Sequence, residues 1–290
     1  MKQSTVAVFA IVLIGFAACK KQDDCPKPPV TQTRCDLMQS KVSGATDMAP
    51  NTSQFRKEYD NATGKVRKVV AGLYGLYFED SIALLLHYNG DHVYITSEQK
   101  PSDTVLIATF DGAKRLVKMQ IGNVDESFRG WYDTLTVFNY NAGRLSVLTR
   151  HLDSDIRFNL YLTYDQSGNV VRIGDNSDDP NNGIFYTYDL TIKATAQFYP
   201  DAFGTDYYSN ATYLADFLGW LPDLDGVNKR TAYKNIYDDP TDNEPGYVYS
   251  QRQLTDHIYD GDGKLLSYTV ADGQITYTNH WHCSEAKMPN

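Results

Sequence analysis

The sequence predicts an all-β body: a large antiparallel meander of hairpins forming an open or barrel-like sheet, with one short helical insertion. Three observations carry that prediction. Apolar residues alternate with polar ones at a period of two, as Ile156, Phe158, Leu160, Leu162 and Tyr164 do against Arg157, Asn159, Tyr161 and Thr163, the pattern of a half-buried antiparallel strand. A turn motif of aromatic, Asp or Asn, Gly and aliphatic recurs along the chain, each copy combining a residue that bonds its own backbone with one that tolerates positive φ. Composition agrees: the 290 residues are 42% hydrophobic and only 22% charged, with 22 Tyr among 13% aromatics, enough to fill a core and too little charge for a disordered chain.

The N-terminal segment is an address rather than part of the fold. Lys2 precedes an apolar run from Val6 to Ala18, 13 residues long, where a helix crossing a bilayer needs about 20. It therefore reads as the apolar region of a signal peptide, residues 1–18. The small pair Ala17-Ala18 then leads into Cys19. Phe16-Ala17-Ala18-Cys19 resembles the lipobox of bacterial lipoproteins, with Phe16 where Leu is usual. That resemblance implies cleavage before Cys19 and lipid attachment to it, and so a membrane partner reached through the lipid. Lys20-Lys21-Gln22-Asp23-Asp24 is similar to the Lys/acidic tether that follows the lipidated cysteine in Bacteroidetes lipoproteins. Pro26, Pro28 and Pro29 stiffen the tether, which is expected to occupy residues 19–37 ahead of a single domain over 38–290.

Charge and cysteine use narrow the compartment and the partners. The net charge is −9 over the whole chain, and removing residues 1–18 takes away Lys2 and no acid. The scattered basic residues make no stripe for a phosphate backbone, so nucleic acid is excluded as a partner. With Cys19 lipidated, Cys25, Cys35 and Cys283 remain, an odd number for an oxidising compartment. Cys35 and Cys283 bracket the body and are the expected disulfide, with Cys25 the alternative partner of Cys283.

The hairpins follow from the turn copies: Tyr59-Asp60 to Gly64 and Val66, Tyr140-Asn141 to Gly143 and Leu145, Tyr164-Asp165 to Gly168 and Val170, and Tyr259-Asp260 to Gly263 and Leu265. Tyr88-Asn89-Gly90 and Phe110-Asp111-Gly112 are looser copies. Spacings of 22 to 30 residues between successive copies from 59 to 164 suit two strands and two turns each, about fourteen strands in all. The segments Tyr164–Val170 and Tyr259–Leu265 are similar to the YD repeat of RHS-type proteins. Taken with the lipoprotein start, the chain resembles Bacteroidetes outer-membrane lipoproteins built from YD-like hairpins, a family without an established activity. The resemblance implies architecture and an outer-membrane, lipid-anchored location, on the periplasmic or the cell-surface face. The second alternating run, Tyr186, Tyr188, Leu190 and Ile192, is expected to face the core together.

From Pro200 to Arg230 the period of two is lost. Tyr208, Ala211, Tyr213, Leu214, Phe217 and Leu218 recur at helical spacing, predicting a helix near 206–219 that Gly219 ends and Pro222 keeps from resuming. Such an insertion plugs or caps an open end of the sheet.

Chemistry is sparse. No GxSxG, GxxxxGK[ST], HExxH or paired CxxC is present. In a strand His280 and His282 share one face while Cys283 points to the other, so His280-Trp281-His282-Cys283 makes no metal site. No cofactor and no catalytic residue is implied. Trp131, Tyr207, Tyr208 and Trp220 are the candidates for stacking on a ligand such as a sugar. The expected function is a non-catalytic envelope lipoprotein that binds or scaffolds, with a glycan or an envelope protein as partner. The competing class is an exported hydrolase of glycans or other envelope polymers.

Overall fold

A computed structural model describes residues 32–44, 54–71, 82–122, 134–152, 155–175, 182–199, 210–224, 226–237, 247–270 and 275–286. Two compact units divide the chain, Cys35–His282 and Met1–Arg34 with Cys283–Asn290. Of the latter, the described residues are the ends of the first and last strands.

The larger unit is a meander of antiparallel strands. Its first half consists of β1 (Gln32–Gly44), β2 (Gln54–Tyr59), β3 (Val66–Ala71), β4 (Ile82–Asn89), β5 (His92–Ser97), β6 (Thr104–Phe110), β7 (Leu116–Ile121), β8 (Leu135–Asn141) and β9 (Arg144–Leu152). The second half consists of β10 (Asp155–Tyr164), β11 (Val170–Gly174), β12 (Gly183–Lys193), β13 (Asn228–Tyr237), β14 (Tyr247–Gln253), β15 (Thr255–Tyr259), β16 (Leu265–Val270) and β17 (Ile275–Ala286). These seventeen strands form one sheet in which β1 pairs with both β2 and β17, so the meander returns on itself in a nearly closed, barrel-like sheet. β14 and β15 are separated only by buried Leu254. The first pairs with β13 and the second with β16, two halves of one bent strand. That split raises the count above the expected fourteen, and β1 begins at Gln32, inside the expected tether.

Period-two alternation decides the faces. Cross-strand neighbours Leu86, Ile95 and Leu106 are buried, as are Phe138, Leu148 and Leu160, and Leu162, Ile173 and Ile184. These continuous apolar rows line the inside. The outside carries charge at mid-strand: Lys68 lies between Glu58 and Leu85, Lys118 lies between Thr109 and Val137, and Lys234 lies between Phe185 and Gln251. Lys68 Nζ reaches Glu98 at 2.8 Å.

Antiparallel order sends alternate connections to opposite ends. The short turns after β2, β4, β6, β8, β10 and β15, and the insertion after β12, all fall at one end, the turn rim. β1 starts there as well, because it runs toward the 45–53 connection. Ala142 and Gly143, with φ of 49° and 84°, make a two-residue loop whose positive φ values match the twist of the strands.

Candidate functional site: the plugged turn rim

The turn copies assemble into a repeating lattice around the rim. In the four copies that carry Asp, its amide donates to a carbonyl across the turn: Asp60 to Lys65 (2.8 Å), Asp111 to Arg115 (2.9 Å), Asp165 to Asn169 (2.9 Å) and Asp260 to Lys264 (3.0 Å). The carboxylates accept from turn amides in return, such as Arg115 N at Asp111 and Thr63 N at Asp60. These backbone donors hold the Asp60 and Asp111 carboxyls below the usual range. The aliphatic residue that closes the turn is half-buried at Val66 and buried in four copies, Leu116, Leu145, Val170 and Leu265. Its carbonyl accepts a bond from an aromatic residue of a neighbouring strand: Tyr140 Oη at Leu116 (2.9 Å), Tyr164 Oη at Leu145 (2.7 Å), Tyr188 Oη at Val170 (2.8 Å) and Trp281 Nε1 at Leu265 (2.7 Å). The residue before that aliphatic places a cation over an aromatic ring: Lys65 over Tyr88 at 4.7 Å, Arg115 over Tyr140 at 4.8 Å and Arg144 over Tyr164 at 5.4 Å. Sequence reasoning missed this role, although the cation's fixed place in the motif was the signal.

One copy departs from the pattern. Asn169 replaces the cation, is fully buried and ties the turn to the end of the insertion. Its Oδ1 accepts from the amides of Val227 and Asn228, both at 2.9 Å. Its Nδ2 donates to Asp165 Oδ2 at 2.8 Å and to Asn228 Oδ1 at 3.0 Å. Gly226, at φ 72°, fits here because a Cβ would stand 3.0 Å from the Tyr188 ring.

The insertion fills the mouth. Helix α1 (Asn210–Phe217) lies within the predicted 206–219, and Gly219 follows at φ 73°; residues 201–209 lie outside the described ones. Ala211, Leu214, Ala215, Phe217 and Leu218 are buried. Phe217 packs on Phe198 (5.7 Å) and under Lys57 of β2 (4.8 Å), while Trp220 meets Phe110 of β6 edge-on at 5.1 Å. Asn279 of β17 donates to the Phe198 carbonyl at 3.3 Å. Strands far apart in order thus converge on one plug.

Two polar groups sit inside this packing. Arg230 of β13, 1% exposed, stands over Tyr186 (4.4 Å), Tyr199 (4.8 Å) and Tyr188 (5.8 Å) and donates to the Leu224 carbonyl at 2.8 Å. Asp216 on α1 is buried, and burial pushes its carboxyl up to about 7 against the pull of Arg230 and Lys57. Nearby, His257 stacks between Tyr259 (6.2 Å) and Tyr268 (6.0 Å), and burial lowers it to about 4.

Of the expected ligand-stacking residues, Trp220 is half-buried against Phe110; Trp131, Tyr207 and Tyr208 lie outside the described residues, as do Cys19 and Cys25. Cys35 and Cys283 lie in β1 and β17, with side chains outside the described set. His280 and His282 are exposed, and among the described residues no group of three metal-ligating side chains converges.

The fold has solved counterparts. A porin-like protein from Bacteroides vulgatus ATCC 8482 is similar to this chain with a TM-score of 0.52 at 14% identity, over 85% of this chain and 99% of that one. A porin-like protein from Bacteroides uniformis ATCC 8492 aligns with a TM-score of 0.48 at 13% identity, over 89% and 99%. No protein-family model and no curated protein sequence matches the chain. At such identities the likeness to the B. vulgatus protein is one of fold.

Proposed function

We propose that the protein is a non-catalytic, lipid-anchored outer-membrane protein whose soluble barrel binds or scaffolds envelope material. The carrying observation is the combination of a lumen occupied by apolar rows and α1 with an outer wall charged at mid-strand. A filled lumen is no channel, and Lys at a bilayer midplane costs about 2–4 kcal/mol per residue on a barrel's lipid face. The lipobox at Cys19 supplies the membrane hold. One further point supports an envelope setting: the fold counterpart from Bacteroides vulgatus is a porin-like protein. The partner is a glycan or an envelope protein. The turn acids Asp60, Asp111, Asp165 and Asp260 are engaged with turn backbone, which leaves them poor acid–base pairs for a hydrolase.

The test is a glycan and envelope-polymer array probed with the full chain, with a product assay on each hit and a detergent-free solubility check after the tether is cut. Binding without turnover, by a body that stays in solution, is the expected result. Turnover abolished by replacing a single carboxylate would establish the hydrolase instead, and insolubility after clean cutting would overturn the soluble barrel.

A further inference from the structure

Leu190 and Ile192 continue the alternating run that buries Tyr186, yet they are 59% and 38% exposed, and neighbouring Val227 is 45% exposed. The cause is a bulge. The β12–β13 register jumps from Asp189↔Lys229 to Lys193↔Asn228, leaving residues 190–192 unpaired in the ladder. The bulge is held from within: buried Asn228 directs Nδ2 toward the carbonyls of Leu190 (3.3 Å) and Ile192 (3.4 Å), and Ala194 N donates to Val227 O at 3.2 Å. Asp189 accepts from Thr191 N at 3.0 Å and Thr191 Oγ1 at 2.6 Å. The result is a braced protrusion that presents three aliphatic side chains to solvent, beside exposed Lys193 and partly exposed Lys229.

Its place in the fold matters as much as its chemistry. The bulge stands on the turn rim, the end at which β1 begins. The 15 residues between Cys19 and Cys35, where the larger unit begins, would reach about 20 Å as a coil, whereas the opposite rim lies a further ~25 Å away along strands of about eight residues. A lipid on Cys19 therefore brings the turn rim to the bilayer first.

We infer that Leu190, Ile192 and Val227 form a membrane-contacting protrusion that seats the turn rim on the lipid surface holding the anchor. This rests on the lipid-anchored reading above. Apolar side chains entering the headgroup boundary add a second signal to the acyl chains and fix which end of the barrel faces outward. Asp189 stays ionised, its carboxyl held below the usual range by the Thr191 hydroxyl and amide, and exposed Lys193 and partly exposed Lys229 stand beside it to offset that charge at an anionic surface.

The experiment uses the full lipidated chain in vesicles of phosphatidylethanolamine and phosphatidylglycerol containing brominated acyl chains. Tryptophan is placed at the protrusion (Leu190→Trp, and separately Ile192→Trp) or on the outer wall (Gln120→Trp), and quenching is read above the wild-type background. Quenching at 190 and 192 about twofold or more above that at 120 is expected. Equal quenching at all three, with lipid on Cys19 established by mass spectrometry, would overturn the inference. If Cys19 carries no lipid, the anchor reading fails on its own, and flotation of the unlipidated chain decides the protrusion. Leu190→Ser with Ile192→Ser must then lower vesicle binding severalfold, and unchanged binding refutes it.

Discussion

Replacing Asn169 by alanine separates a buried tie from the exposed lattice around it. The carboxamide oxygen serves two backbone amides, Val227 N and Asn228 N, each at 2.9 Å, and the amide nitrogen serves Asp165 and Asn228. Leaving a buried donor unpaired costs about 1–3 kcal/mol, so two lost acceptor bonds amount to about 3 kcal/mol. In a domain of this size 1 kcal/mol moves Tm by roughly 2–4 °C, which puts the fall in melting temperature at about 6–12 °C by calorimetry. Arg144→Ala is the control. It occupies the same motif position at the surface, over Tyr164, and an exposed cation–π contact is worth about 0.5–1 kcal/mol. Asn169→Asp, which sets a carboxylate against Asp165 Oδ2, should destabilise more at pH 8 than at pH 5. An Asn169→Ala protein melting within about 3 °C of wild type, or no further from it than Arg144→Ala, would refute the claim that this side chain holds the end of the insertion.

Three other outcomes are expected, the first two from the lattice and core and the third from the cysteine spacing. Asp216, whose buried carboxyl is raised to about 7 from 3.8, contributes stability that is fully present below pH 3.8 and lost as pH rises through 7. His257, lowered to about 4 from 6.5, contributes stability present above pH 6.5 and lost as pH falls toward 4. Asp216→Asn should therefore flatten the decline of Tm toward high pH and His257→Gln the decline toward low pH; a profile unchanged by both would contradict these assignments. Tyr164→Phe removes the 2.7 Å bond to the Leu145 carbonyl and should cost about 1–2 kcal/mol in urea unfolding at unchanged m, a loss near zero counting against the ladder. Non-reducing peptide mapping should recover the Cys35 and Cys283 peptides as one species with Cys25 alkylatable, and a Cys25–Cys283 species would overturn that pairing.

Local sequence carried much of the fold because its signals act over a few residues. The Asp and Gly positions fix such a turn through bonds within five residues, as at Asp260 and Gly263, and they are readable without any knowledge of neighbours. The alternation over Phe158 to Tyr164 likewise carried over to buried Leu160 and Leu162. The same rule failed at Leu190 and Ile192, where the pattern predicts a core face and the bulge turns the side chains outward. Periodicity reports that two faces exist. It does not report where the ladder that defines them stops.

By itself, then, the sequence determined the all-β class, the hairpin turns and the helical break, each set by backbone preferences and short-range bonds. Only the tertiary structure decided that the meander meets itself at β1 and β17, that the insertion between β12 and β13 lies among β2, β6, β13 and β17, and that Asn169 grips Asn228 across 59 residues of chain. Those outcomes depend on register and curvature accumulated over all the strands. A change of one residue in any bulge would send the same side chains to the opposite face, and no single segment encodes that sum.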